Sequence, residues 1–228
     1  MTNPEAAAEN LRVIRKLMER ATLYRAISAP TALVGGVLAI ATAFALSSGL
    51  IAPGGISPLG YYGVWVLVLF AIDVFNTFLL WRDARRRGSP LFTPGMTHAL
   101  KSLIPPLLAG GVISFFLVHE SIFIATLCWV VFYGLALLAT HGFSPASMKA
   151  LGSVFVLAGL GIWAASWQNL IQIPPAPDQQ LLASCLVMGL TFGLFHIVYA
   201  VSIGLTTRFR ISKRPGAEAD ADADAGGA

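Results

Sequence analysis

Apolar residues fill six runs, each close to the length of a membrane crossing, and polar or Gly/Pro-rich stretches punctuate them. A hydrocarbon layer about 30 Å thick takes roughly 20 such residues as a helix. The pattern predicts six spans, approximately Thr31 to Ile51, Tyr61 to Trp81, Ala99 to Val118, Ser121 to Thr140, Met148 to Trp167 and Leu181 to Leu205. "APGGISPLG" and "QIPPAPDQ" separate two of the pairs, and "VHES" leaves a very tight hairpin between the third and fourth. The expected fold class is all-α, a membrane bundle spanning residues 31–207.

Polar positions inside the runs are few and ordered. Asp73, Asn76 and Thr77 fall on one side of the second span, with Tyr62 on that side near the other end. An ionised carboxylate is costly in hydrocarbon, so this stripe is expected to face the bundle interior. In the sixth span Cys185, Gly189, Gly193, His196, Ala200 and Gly204 share a face, a small-residue packing seam with one histidine in it. Thr126, Trp129, Tyr133 and Thr140 share a side of the fourth. At 1.5 Å per residue, Asp73 and Tyr133 lie ~12 Å and His196 ~15 Å from the basic ends of their helices, so the three are expected to form one layer in which Asp73 finds a partner. Such a layer either holds helices in register or relays protons or ions. "SLIPPLLAGGVIS", with Pro105, Pro106, Gly110 and Gly111, is the expected site of a break in the third span, a feature of transporters.

Composition agrees with the pattern: 56% of residues are hydrophobic and 11% charged, against roughly 25% charged in a soluble domain. The mean hydropathy is +0.74. Charge adds an orientation. All 15 basic residues fall on one side of the six-span scheme: five before the first span, five around the loop after the second, Lys149, and four at the C-terminus. By the positive-inside rule both termini are cytoplasmic, and this asymmetry accounts for the net charge of +4 without nucleic-acid binding.

Residues 1–30 read as a basic amphipathic helix in the membrane interface. Asn3 suits the cap and Pro4 the first turn; Leu11, Ile14, Leu17, Met18, Ala21 and Tyr24 oppose Arg12, Arg15, Lys16 and Arg20. With Arg82, Arg85, Arg86 and Arg87 these residues form a cytoplasmic face for anionic headgroups or a protein partner. The N-terminus lacks the short apolar core and cleavage site of a signal peptide, so the first span is expected to direct insertion. Residues 208–228, ending "GAEADADADAGGA", hold too little apolar surface to fold and read as a disordered acidic tail.

Enzymatic chemistry has little to stand on. There is no HExxH, GxSxG, CxxC or P-loop. His98 and His141 lie at one edge, His119 at the other and His196 between, so no two histidines share a mid-membrane depth for haem. No metal or cofactor is called for. Cys128 and Cys185 read as small core hydrophobes, and Trp65, Trp81, Trp163 and Trp167 as an interfacial belt.

Three stretches, "LRVIRKLMERATLYRAISAPTALVGGVLAI", "VFYGLALLATHGFSPASMKALGSVFVLAGLGI" and "TFGLFHIVYAV", resemble a group of uncharacterised bacterial polytopic inner-membrane proteins with no established activity. The resemblance implies a bacterial inner-membrane location and supplies no catalytic residues. Two functions therefore stand open. One is a non-enzymatic sensory or partner-binding protein acting through its basic cytoplasmic face, with the sixth-span seam available for self-association. The other is a small proton-linked transporter using Asp73, Tyr133 and His196. A contiguous aqueous cavity reaching Asp73 would favour the second, a tightly packed bundle the first.

Overall fold

The computed structural model describes residues 29–212, apart from 87, 89, 91, 93, 141 and 143. The predicted interfacial helix with Arg12, Arg15, Lys16 and Arg20, the loop residue Arg87 and the tail from residue 213 onward lie outside the described residues. The described chain forms helices and no strands: α1 (Ala29–Ser47), α2 (Pro58–Arg86), α3 (Pro94–Leu117), α4 (Ile122–Ala139), α5 (Ala146–Trp167) and a sixth rod. That rod consists of α6 (Pro177–Met188), a π-helical stretch (Gly189–Phe195) and α7 (His196–Ser212). Six helices are thus long and apolar enough to cross a membrane.

Helix ends differ from the apolar runs for local reasons. The first helix stops at Ser47 rather than Ile51 because Gly49 turns left-handed (φ 75°) and the Ile51 amide closes back on the Ala45 carbonyl. The second continues five residues past Trp81, its last turn carrying Arg85 and Arg86 where the helix dipole favours cations. Pro177 and Asp178 start α6 four residues early, again with the dipole. At the other end α7 runs to Ser212, past the boundary at 207. In the 117–122 hairpin, the Ser121 hydroxyl accepts from the Ile124 amide (3.3 Å) and donates to Gln180 Oε1 (2.9 Å), tying α4 to α6.

The break expected at Pro105 and Pro106 is absent: α3 runs unbroken through both prolines. Prolines are tolerated in membrane helices where neighbours steady the backbone. The irregularity lies instead in the sixth rod. There "GLTFGLF" follows a π pattern, which inserts an extra residue into the turn and re-aims everything after it.

The core centres on α4, of whose 18 residues ten are buried. It packs most closely on α5 and α3, while α1 packs along the sixth rod. Two glycine crossings permit this. A Cβ on Gly134 would meet the Gly152 carbonyl at 2.7 Å, and one on Gly36 would meet the Gly193 carbonyl at 2.8 Å, so backbone lies directly on backbone. Helix α2 is the exception, with only Tyr61 and Trp65 of its 29 residues buried. Near one end the Tyr61 hydroxyl bonds Thr126 (2.9 Å) and the Tyr62 hydroxyl donates to the Gly111 carbonyl (3.0 Å); farther along, Thr31 donates to Asn76 Oδ1 (3.0 Å). Between these ties α2 stands off from α4.

Candidate functional site

The stand-off leaves a cavity of about 480 Å³ bounded by α1, α2, α3, α4 and the sixth rod. It follows α2 from Leu80 to Trp65, roughly 22 Å at 1.5 Å per residue. One end lies among Phe92, Met96, Ser144 and Met148, at the α2–α3 and α4–α5 connections. The other stops at Trp65, Trp129 and Met188. Beyond those three is a chamber of only about 10 Å³, room for a single water, beside the Tyr61–Thr126 bond. The tyrosines brace this wall: Tyr61 meets Trp65 edge-on at 6.3 Å and Tyr62 meets Trp129 at 5.3 Å. Trp65 is 4% exposed, so the interfacial role expected of it is incorrect; Trp81, Trp163 and Trp167 are exposed.

All five members of the expected polar layer line this cavity: Asp73, Asn76, Thr77, Tyr133 and His196. They are not one bonded network. The Tyr133 hydroxyl and His196 Nε2 lie 2.8 Å apart, joining α4 to α7. Asp73 is exposed within the cavity, and among the described residues no group hydrogen-bonds its carboxylate. It shares the cavity with the Tyr133 hydroxyl without a hydrogen bond to it. The partner expected for Asp73 is therefore not supplied by the described chain. Asn76 is held by Thr31 of α1, whose role had no signal beyond a hydroxyl at a helix start.

A clamp of aromatic rings fixes the Tyr133–His196 pair. The imidazole is nearly parallel to the Phe192 ring (13°, centroids 6.1 Å apart) and meets Phe155 edge-on at 5.5 Å. Phe155 is fully buried and touches Tyr133 at 4.8 Å as well. His196 is 8% exposed and its Nδ1 is buried without a hydrogen bond, so the Tyr133 hydroxyl at Nε2 is the polar contact the structure gives its ring. Replacing Tyr133 by phenylalanine is expected to cost about 1 kcal/mol, the worth of one interhelical hydrogen bond. Reversible unfolding in mixed detergent micelles measures it, and an unchanged midpoint would mean that the bond adds nothing to the folded bundle.

The sixth-span seam divides at the π stretch. Gly193 lies against Ile40 and Gly36 of α1, and Gly189 takes up the same helix, where a Cβ would sit 3.4 Å from Ala43. Cys185 and Ala200 are buried, His196 faces α4 and α5, and Gly204 borders open space. Arg82, Arg85 and Arg86 are exposed, with the Arg85 guanidinium 5.0 Å above the Trp81 ring. No group of three or more metal-ligating side chains converges among the described residues.

Fold and cavity together define a bundle of six helices long and apolar enough to cross a membrane, around a largely apolar cavity that holds a few polar side chains, the architecture of a multi-pass membrane protein. No known protein family, curated protein or solved structure matches the chain.

Proposed function

We propose that this protein is a small proton-linked permease that takes a solute into the cavity beside α2 and passes it across the bilayer. The observation that carries the reading is the cavity reaching Asp73, since a bundle serving only to display a basic face has no use for one. Asp73 and the Tyr133–His196 pair supply exchangeable protons on opposite walls. The π stretch preceding His196 is the irregular backbone that transporters place beside their sites, and Trp65, Trp129 and Met188 form the closed end. Charge asymmetry supports a placement with both termini and the Phe92–Met148 end of the cavity cytoplasmic, and the resemblance supports a bacterial inner membrane.

The exposed Arg82, Arg85 and Arg86 support an added role for that face in binding anionic headgroups or an acidic protein partner. The glycine seam does not favour self-association, because Gly189 and Gly193 are already occupied by α1.

Cysteine labelling tests the permease reading. Leu103→Cys places a thiol on the α3 wall of the cavity, Leu108→Cys on its exposed apolar face, and the native chain, with Cys128 and Cys185 buried, sets the baseline. A charged, membrane-impermeant thiol reagent is expected to modify Leu103→Cys from both sides of oriented vesicles and to spare Leu108→Cys. Modification from one side alone would mean a one-sided site without translocation. No modification would mean a cavity closed to water.

A further inference from the structure

The geometry points to an organic monocation with an apolar body as the ligand of this cavity, its charge set against Asp73. The inference rests on the reading of the cavity as a solute site and adds the class of solute. It begins from the charge of the walls. Among the described residues lining the cavity, Asp73 is the one with a formal charge, and no described lysine or arginine lines it. The imidazole of His196 is occupied through Nε2 by Tyr133 and clamped between Phe192 and Phe155, so it is not placed to pair with the carboxylate. A carboxylate surrounded by apolar walls demands a counter-charge. Protons meet that demand in the empty site, and a cation meets it in the filled one.

The remaining walls suit the rest of such a molecule. Trp65, Trp129, Tyr133 and Phe192 offer aromatic faces, which attract cations and apolar groups but not anions. Three of the chain's five methionines, Met96, Met148 and Met188, line the same space. Methionine is flexible and polarisable, and lining a site with it favours tolerance of varied apolar shapes over recognition of one. The Thr77 hydroxyl lines the same space and offers an acceptor to a charged head. A volume near 480 Å³ falls within the range of sites for molecules of drug-like size. An inorganic cation would leave most of that apolar surface unused, and a solute anion would meet Asp73 with nothing to offset it.

Tetraphenylphosphonium and tetraphenylborate have almost the same size and shape and opposite charge; triphenylphosphine oxide is a neutral relative. Binding of each to the full chain in nanodiscs of neutral lipid is read from quenching of tryptophan emission, to which Trp65 and Trp129 in the cavity wall contribute. The phosphonium is expected to bind roughly tenfold or more tighter than the borate. Asp73→Asn is expected to abolish that preference while leaving the neutral compound's affinity in place, and Asp73→Glu to restore it. If all three compounds bind alike, or Asp73→Asn leaves the preference untouched, the cation assignment is overturned while the solute site stands. If none of them binds at any charge, the solute-site reading itself falls. Should Asp73→Asn fail to fold, the comparison of phosphonium with borate on the native chain decides alone.

Discussion

Replacing Phe155 by alanine is expected to destabilise the bundle by about 3 kcal/mol. Phe155 is fully buried, and its ring touches those of Tyr133, Phe192, Phe195 and His196 with centroids 4.8 to 5.6 Å apart. In a soluble core such a truncation loses both the transfer of the side chain out of water and the cavity term. Within a bilayer the first largely vanishes, because lipid is as apolar as the protein interior. The second remains: ~24 cal/mol per Å³ over a void on the order of 100 Å³ comes to about 2.4 kcal/mol. Loss of the oriented ring contacts adds roughly 0.5 to 1 kcal/mol. Unfolding in mixed micelles would show the midpoint fall, and Phe155→Leu, which fills most of the volume, should recover more than half. An alanine variant as stable as the native chain would mean that the aromatic clamp around His196 is not where the bundle draws its cohesion.

Gly134→Leu is expected to cost about as much, near 3 kcal/mol, by the opposite mechanism. A Cβ at Gly134 would lie 2.7 Å from the Gly152 carbonyl, 2.8 Å from Val156 Cγ2 and 2.9 Å from the Phe155 Cβ. One of these neighbours is backbone, so rotamer adjustment cannot relieve the clash. Helices α4 and α5, the most closely packed pair, would have to separate. Leucine's better helix propensity, about 0.8 to 1 kcal/mol over glycine, only partly offsets this. Gly161→Leu on the same helix pair isolates the effect, since nothing lies within 4 Å of a Cβ there and the position is exposed. It should be neutral or slightly stabilising. Equal losses at the two glycines would point to backbone flexibility rather than close approach as the reason for them.

Much of the architecture is legible in the chain because a bilayer imposes a length on every crossing. Ala146–Trp167 and Ile122–Ala139 lie within two residues of their apolar runs for that reason. The sidedness of Asp73, Asn76 and Thr77 was equally readable, since hydrocarbon penalises a polar stripe and turns it inward. Less readable was what that stripe would meet. Depth counting brought Asp73, Tyr133 and His196 to one level, yet only Tyr133 and His196 touch, because α2 is tied to its neighbours near one end, through Tyr61 and Tyr62, and again at Asn76, and stands away between them. Nothing in the apolar run around Phe155 distinguishes it from neighbours that face outward, such as Val154 and Leu157. Likewise Pro105 and Pro106 carry the local signal for a break, while the π stretch of "GLTFGLF" carries none.

By itself, then, the sequence determined six apolar crossings, their approximate ends, and which residues could not face lipid, since each of these follows from the interaction of one helix with its solvent. The tertiary structure decided the rest: that Gly36 meets Gly193, that Gly134 meets Gly152, and that a cavity remains beside Asp73. Those outcomes depend on the shapes of two or more helices at once. In a medium that does not distinguish one apolar side chain from another, shape alone selects the neighbours.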